Sequence, residues 1–83
     1  MTASLQVNGH QIEIFISMWT GKETIKYDGN IVCDRRNLIT FSSINSFKVQ
    51  EEGEEVVYEV QSIAGLSPGY AIRRNGIIQA HKP

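Results

Sequence analysis

The stretch "HQIEIFISMWTGKETIKYDGNIVC", His10 to Cys33, decides how this chain is read. In "HQIEIFISM", Ile12, Ile14, Ile16 and Met18 alternate with Gln11, Glu13 and Ser17, while Phe15 and Trp19 interrupt the polar side. A period of two with β-branched residues on one side marks a strand that buries one face. In "ETIKYDG", Ile25 and Tyr27 oppose Thr24 and Lys26, and Asp28-Gly29 then turns the chain into "NIVCD". Aspartate followed by glycine suits a two-residue hairpin, because both central residues must take positive φ.

The same device recurs along the chain. A polar residue precedes glycine at Asn8-Gly9, Asp28-Gly29, Glu52-Gly53 and Asn75-Gly76, each time between strand-like runs. "NSFKVQ" sets Phe47 and Val49 against Lys48 and Gln50. "EEVVYEVQSI" sets Val56, Tyr58 and Val60 against Val57, Glu59 and Gln61. "GYAIRRNGIIQA" carries Tyr70 and Ile72 before its turn and Ile77 and Ile78 after it. No segment holds a helical period with caps; Arg36 to Ser43 is expected to be an irregular connection and "AGLSPG" a loop. The pattern predicts one all-β domain over residues 1–83. Its expected form is an antiparallel β-sandwich or a small, partly open barrel of seven to eight strands built from serial hairpins. Lys22, Lys26 and Lys48 are expected to guard sheet edges.

Composition narrows the function classes. The 83 residues are 41% hydrophobic and 20% charged, as in a folded globular chain. Burial in so small a domain exceeds the entropy of ordering by only a few kcal/mol. Cys33 is the only cysteine, so no internal disulfide can add to that margin. A homodimer or higher oligomer is therefore expected. The net charge of −1 gives no general attraction to nucleic acid or anionic membranes. No apolar run is long enough to span a membrane, and the beginning lacks a signal-peptide pattern. A lone thiol without an export signal leads to the expectation of a cytoplasmic protein.

Each candidate motif has a plainer reading. Gly21-Lys22 is not a phosphate loop, because Ile16 stands where the first glycine belongs, Glu23 follows the lysine and no helix follows. Cys33 is expected to be a half-buried, inert thiol, since neither His10 nor His81 has an evident orienting acid. Two histidines and one cysteine do not make a zinc site, and no cofactor is expected. Glu51, Glu52, Glu54 and Glu55 are expected at a solvated hairpin tip. Trp19 is expected to cap one end of the core with its indole N–H bonded to a loop carbonyl. The alternative is an exposed anchor for a ligand or partner. Arg35-Arg36 and Arg73-Arg74 each offer one side chain to a given surface. Across strands they would form a small cationic patch; the plainer expectation is solvated arginines pairing with "EEGEE".

The pattern "WTGKETIKYDG", followed by "SFKV" and "VYEV", resembles the β-sandwich modules of the Fas apoptotic inhibitory molecule family and small bacterial all-β proteins. The matching positions are Gly21, Lys22, Asp28 and Gly29, with Tyr58 and Val60 as a continuation. The resemblance implies a non-catalytic sandwich that acts by contacting other proteins. It assigns no catalytic residue. The short chain, the Arg35-Arg36 pair and the Asn75-Gly76 hairpin depart from that family's pattern.

The functional expectation is a non-enzymatic module acting by protein–protein contact and self-association. The alternative is a binder of a small anionic or aromatic ligand. It would use Trp19 or Tyr70 as an apolar wall and one of Arg35, Arg36, Arg73 or Arg74 as a clamp. An enzyme would need a histidine brought to Cys33 or to an acid by the fold.

Overall fold

In the computed structural model, residues 2–17, 19–36, 42–63 and 69–82 are described. They form eight strands and no helix: β1 (Thr2–Val7), β2 (His10–Ile16), β3 (Lys22–Tyr27), β4 (Asn30–Arg36), β5 (Ser42–Glu51), β6 (Glu54–Ile63), β7 (Gly69–Arg74) and β8 (Ile77–Lys82). All neighbouring strands are antiparallel, in two four-stranded sheets of order β1-β2-β3-β4 and β5-β6-β7-β8. The all-β class and the serial hairpins follow the alternation and the repeated turns. The sheets correspond to two compact units, Met1–Thr40 and Phe41–Pro83.

Each polar-Gly pair makes the turn its chemistry favours. Asn8, Asp28, Glu52 and Asn75 have φ of 51°, 49°, 52° and 50°, and the glycines that follow lie between 80° and 84°. Two successive left-handed residues match the twist of the strands they join. Asparagine and aspartate tolerate this conformation, whereas glutamate has no short side chain to support it.

The units repeat one design. Asp28 donates its amide to the Gln11 carbonyl at 2.8 Å and accepts the Gln11 amide on its carboxylate at 2.9 Å. Asn75 does the same to Val57, at 2.8 and 3.0 Å. Each turn thus clamps the neighbouring hairpin. A bulge follows each clamp in the chain, Val32 being the extra residue on β4 and Gln79 on β8. The first hairpin differs in length: β5 and β6 have ten residues each, β1 and β2 six and seven.

Pairing register shows which side chains share a face. In the first unit Ile12 and Ile14 are aligned with Leu5 and Ala3 on one side and Tyr27 and Ile25 on the other. Ile12, Ile14 and Ile25 are fully buried. In the second unit Val56, Tyr58, Val60 and Ile72 occupy the buried face. Burying each such apolar side chain contributes about 1.5–3 kcal/mol. Ser43 and Ser62, opposite each other on this face, share a 2.9 Å hydrogen bond. Among the described residues, every buried side-chain nitrogen and oxygen has a partner.

Three local expectations change. Lys48 lies on edge strand β5, but Lys22 and Lys26 lie on β3, an interior strand, so they guard no edge. Arg36, Ser42 and Ser43 belong to strands rather than to an irregular connection, because pairing with Lys22, Ile63 and Ser62 extends β4 and β5. Gly69 likewise opens β7. Positions 37–41 and 64–68 of the two expected loops, and Met18 of the first alternation, lie outside the described residues. Among the described residues, no helix is long and apolar enough to cross a membrane.

Candidate functional site

The link between β2 and β3 carries Trp19. The Gly21 amide donates to the Ser17 carbonyl at 2.9 Å, and the Ser17 amide donates to the Lys22 carbonyl at 2.9 Å. Gly21 takes φ of 71°, which reverses the chain into β3 without a Cβ penalty. Side chains add support: Ser17 Oγ accepts the Thr20 amide and Thr20 Oγ1 accepts the Lys22 amide, both at 3.3 Å. The loop is pinned at both ends.

Trp19 projects from this loop and is 97% exposed. The expected core cap is therefore overturned. Trp19 lies beyond Ile16, where β2 ends, so strand alternation no longer directs its side chain. Beside the loop lies an open hollow of about 270 Å³, lined by Thr2, Phe15, Ile16, Thr20, Lys22 and Thr24 among others. Lys26 Nζ sits 5.5 Å from the Phe15 ring centre on the same outer face.

The arginines are separated by face and by unit. Arg35 points its Nε at Glu23 Oε1, 3.3 Å away, and the Glu23 carboxylate is nearly buried. Arg36 is exposed and aligned with Lys22. Arg73 donates from Nη2 to Gln61 Oε1 at 3.1 Å. Arg74, on the opposite face, holds Glu51 Oε1 through Nε at 3.0 Å and Nη2 at 2.9 Å. Tyr70 is half-buried between Ser62 and Lys82. Within either unit, adjacent arginines do not converge.

Glu51 corrects a second expectation. Only Glu52, Glu54 and Glu55 stand exposed at the third turn, while the Glu51 side chain is 1% exposed. It shares the inner face with Phe47, and its other oxygen accepts the Tyr58 hydroxyl at 2.6 Å. Phe47 and Tyr58 stack at 5.2 Å. Burial first, and then the bond to Glu51, push the Tyr58 hydroxyl up to about 12. The same carboxylate raises the Arg74 guanidinium through its hydrogen bond. This triad ties β5, β6 and β7 together.

One contact was not foreseen. His10 Nδ1 lies 2.6 Å from Asp28 Oδ2, and the imidazole stacks on Tyr27 at 5.1 Å. His10 thus does have an orienting acid, of which its sequence context gives no sign. The contact follows from the β2–β3 register, which aligns Ile12 with Tyr27 and brings the Asp28 turn beside the start of β2. Asp28 is already committed to the Gln11 amide, so the pair is part of the turn clamp.

Cys33 is half-buried, and burial raises its thiol above the ordinary value, with Arg35 partly opposing. A raised value favours the protonated, weakly nucleophilic form. Among the described residues, no three His, Cys, Asp or Glu side chains are grouped to hold a metal ion. Comparison with protein-family models, curated proteins and solved structures finds no match for this chain.

Proposed function

We propose that this chain is a non-enzymatic binding module that acts by contact with other proteins and with its own copies, with Trp19 as the anchor for a protein partner. The observation that carries this is a tryptophan 97% exposed on a loop held by backbone bonds at both ends. Tryptophan is among the side chains that dominate interface energies. A loop whose ends are already held together loses less conformational freedom on docking. The resemblance to the Fas apoptotic inhibitory molecule family favours the same kind of role. The raised Cys33 thiol supports a non-catalytic reading, and a thiol outside any disulfide fits a cytoplasmic setting, which we add to the proposal.

The test is a paired capture experiment in extracts of the natural host. Wild-type chain and Trp19→Ala are immobilised side by side and the retained proteins compared. A protein held by the wild type and lost with Trp19→Ala supports the anchor. Identical retained sets would overturn it.

The hollow beside the loop supports a second reading, a small-ligand site bounded by Phe15 and Lys22. Its volume lies near the lower end of ligand pockets, which begin at about 300 Å³. Arg35 and Arg74 hold Glu23 and Glu51, whereas Lys22 lines the hollow itself with its Nζ 3.9 Å from Asp34 Oδ1, which makes it the cation best placed for an anion there.

A further inference from the structure

Sheet edges are where two chains add strands to one another, and proteins guard them with charge, proline or bulges. Three of the four edge strands here are guarded. β4 has the Val32 bulge together with Asp34, Arg35 and Arg36. β5 carries Lys48 and Glu51. β8 has the Gln79 bulge and Lys82. β1, "TASLQV", has no charge, no proline and no bulge, and pairs continuously with β2 from Thr2 to Val7.

The open groups of β1 can be assigned. The Gln11 carbonyl accepts the Asp28 amide and the Gln11 amide donates to the Asp28 carboxylate, so both main-chain groups of Gln11 face β3. Gln6, aligned with Gln11, therefore receives no bond from it and faces the open edge. Alternation extends this to Ser4 and Thr2, while Ala3, Leu5 and Val7 bond to β2. On the inner face Val7 is buried but Ala3 and Leu5 are only half-buried, so apolar cover stops short at this edge.

We propose that β1 is the self-association surface: β1 of a second copy pairs with it antiparallel, with Ser4 opposite Ser4 on the two-fold axis. This deepens the self-association part of the binding role above, on which it rests. A two-fold axis at Ser4 uses all three outward-facing residues, with Thr2 opposite Gln6 in both directions. A shift by two residues would bring Thr2 opposite Asn8, whose positive φ takes it out of the strand. With Ser4 on the axis, Leu5 of one copy meets Ala3 of the other and completes the cover of both. Every facing pair is uncharged, so self-pairing brings no like charges together. A second copy fits this edge because a neutral strand centred on itself is its own complement. One six-residue strand gives a small contact, so the dimer is weak and dependent on concentration.

Light scattering over a wide concentration range, joined to amide exchange by NMR, tests this on the whole chain. The mass is expected to rise toward a dimer, and the Ser4 and Gln6 amides to slow with concentration while those of Leu5 and Val7 stay unchanged. Ser4 is exposed on the outer face and gives up only the 3.0 Å bond that its hydroxyl accepts from Gln11 Nε2, so Ser4→Lys keeps the fold and sets like charges opposite each other, weakening association by about fivefold. Ser4→Pro removes an outward N–H that no strand of its own sheet uses, and should act likewise. Circular dichroism confirms that both variants fold, and Gln50→Lys on β5, with the same added charge, leaves association intact. Trp19→Ala also leaves it intact; loss with Trp19→Ala but not with Ser4→Lys overturns the edge proposal and leaves the Trp19 anchor standing. A monomer at every concentration, or a dimer whose Ser4 and Gln6 amides exchange freely, overturns it as well. Protection of those amides only on adding a different protein overturns the second copy as occupant.

Discussion

Glu52 is the residue most at odds with its place in the fold, and replacing it gives a sharp test of the turn geometry. Its φ of 52° matches those of Asn8, Asp28 and Asn75, yet it alone lacks a short polar side chain. The left-handed conformation costs an ordinary L-residue about 1–2 kcal/mol, and asparagine avoids part of that cost. Glu52→Asn should therefore stabilise the fold by about 0.5–1 kcal/mol. For a chain of this size that is a rise in Tm of about 2–8 °C. Urea unfolding supplies the free energy, with an unchanged m-value showing that only stability moved. Glu52 also sits among Glu54 and Glu55, so lost charge repulsion is a competing explanation. Glu52→Gln separates the two, because it removes the charge and keeps the conformational problem. A gain with asparagine and little with glutamine is expected. Equal gains, or none with asparagine, would refute the backbone argument.

Other outcomes follow from the same geometry. Tyr58→Phe leaves a buried Glu51 oxygen without its 2.6 Å bond and should cost about 1.5–3 kcal/mol at neutral pH, measured by denaturant unfolding. The Tyr58 hydroxyl titrates higher in the folded chain than its ordinary 10.0, at about 12. Its neutral form is thus favoured by folding: this stability is complete below pH 10 and is lost as pH rises toward 12, where the gap between wild type and Tyr58→Phe should close. Asp28→Asn should be tolerated, because Asn75 clamps Val57 at the equivalent turn, whereas Asp28→Ala should cost about 1 kcal/mol on thermal unfolding. Trp19→Ala should change stability by less than about 0.5 kcal/mol despite removing the largest side chain in the sequence; a larger loss would mean that the ring is covered.

Hairpins were legible because turn chemistry and strand alternation are local. Asn8-Gly9, Asp28-Gly29, Glu52-Gly53 and Asn75-Gly76 each announce a two-residue turn, and Ile12, Ile14 and Ile25 announce the buried face. Strand order was not legible, so Lys22 and Lys26 were placed on an edge that the β2–β3 pairing removes. Glu51 escaped because its burial depends on Tyr58 and Arg74 arriving from two other strands. The His10–Asp28 contact likewise needs the β2–β3 register, which no single segment reveals. Trp19 was misplaced for the opposite reason: alternation was extended past the end of β2 into a loop where it has no force.

The Trp19 indole is open to water in the single chain, as its proposed role as an anchor requires. As the only tryptophan, it gives a fluorescence signal with no other source. In dilute monomer the emission should be that of a hydrated indole, fully accessible to iodide and acrylamide, and unchanged on unfolding in position if not in intensity. A blue-shifted emission protected from both quenchers in the monomer would mean that the ring is covered by its own chain and is no anchor.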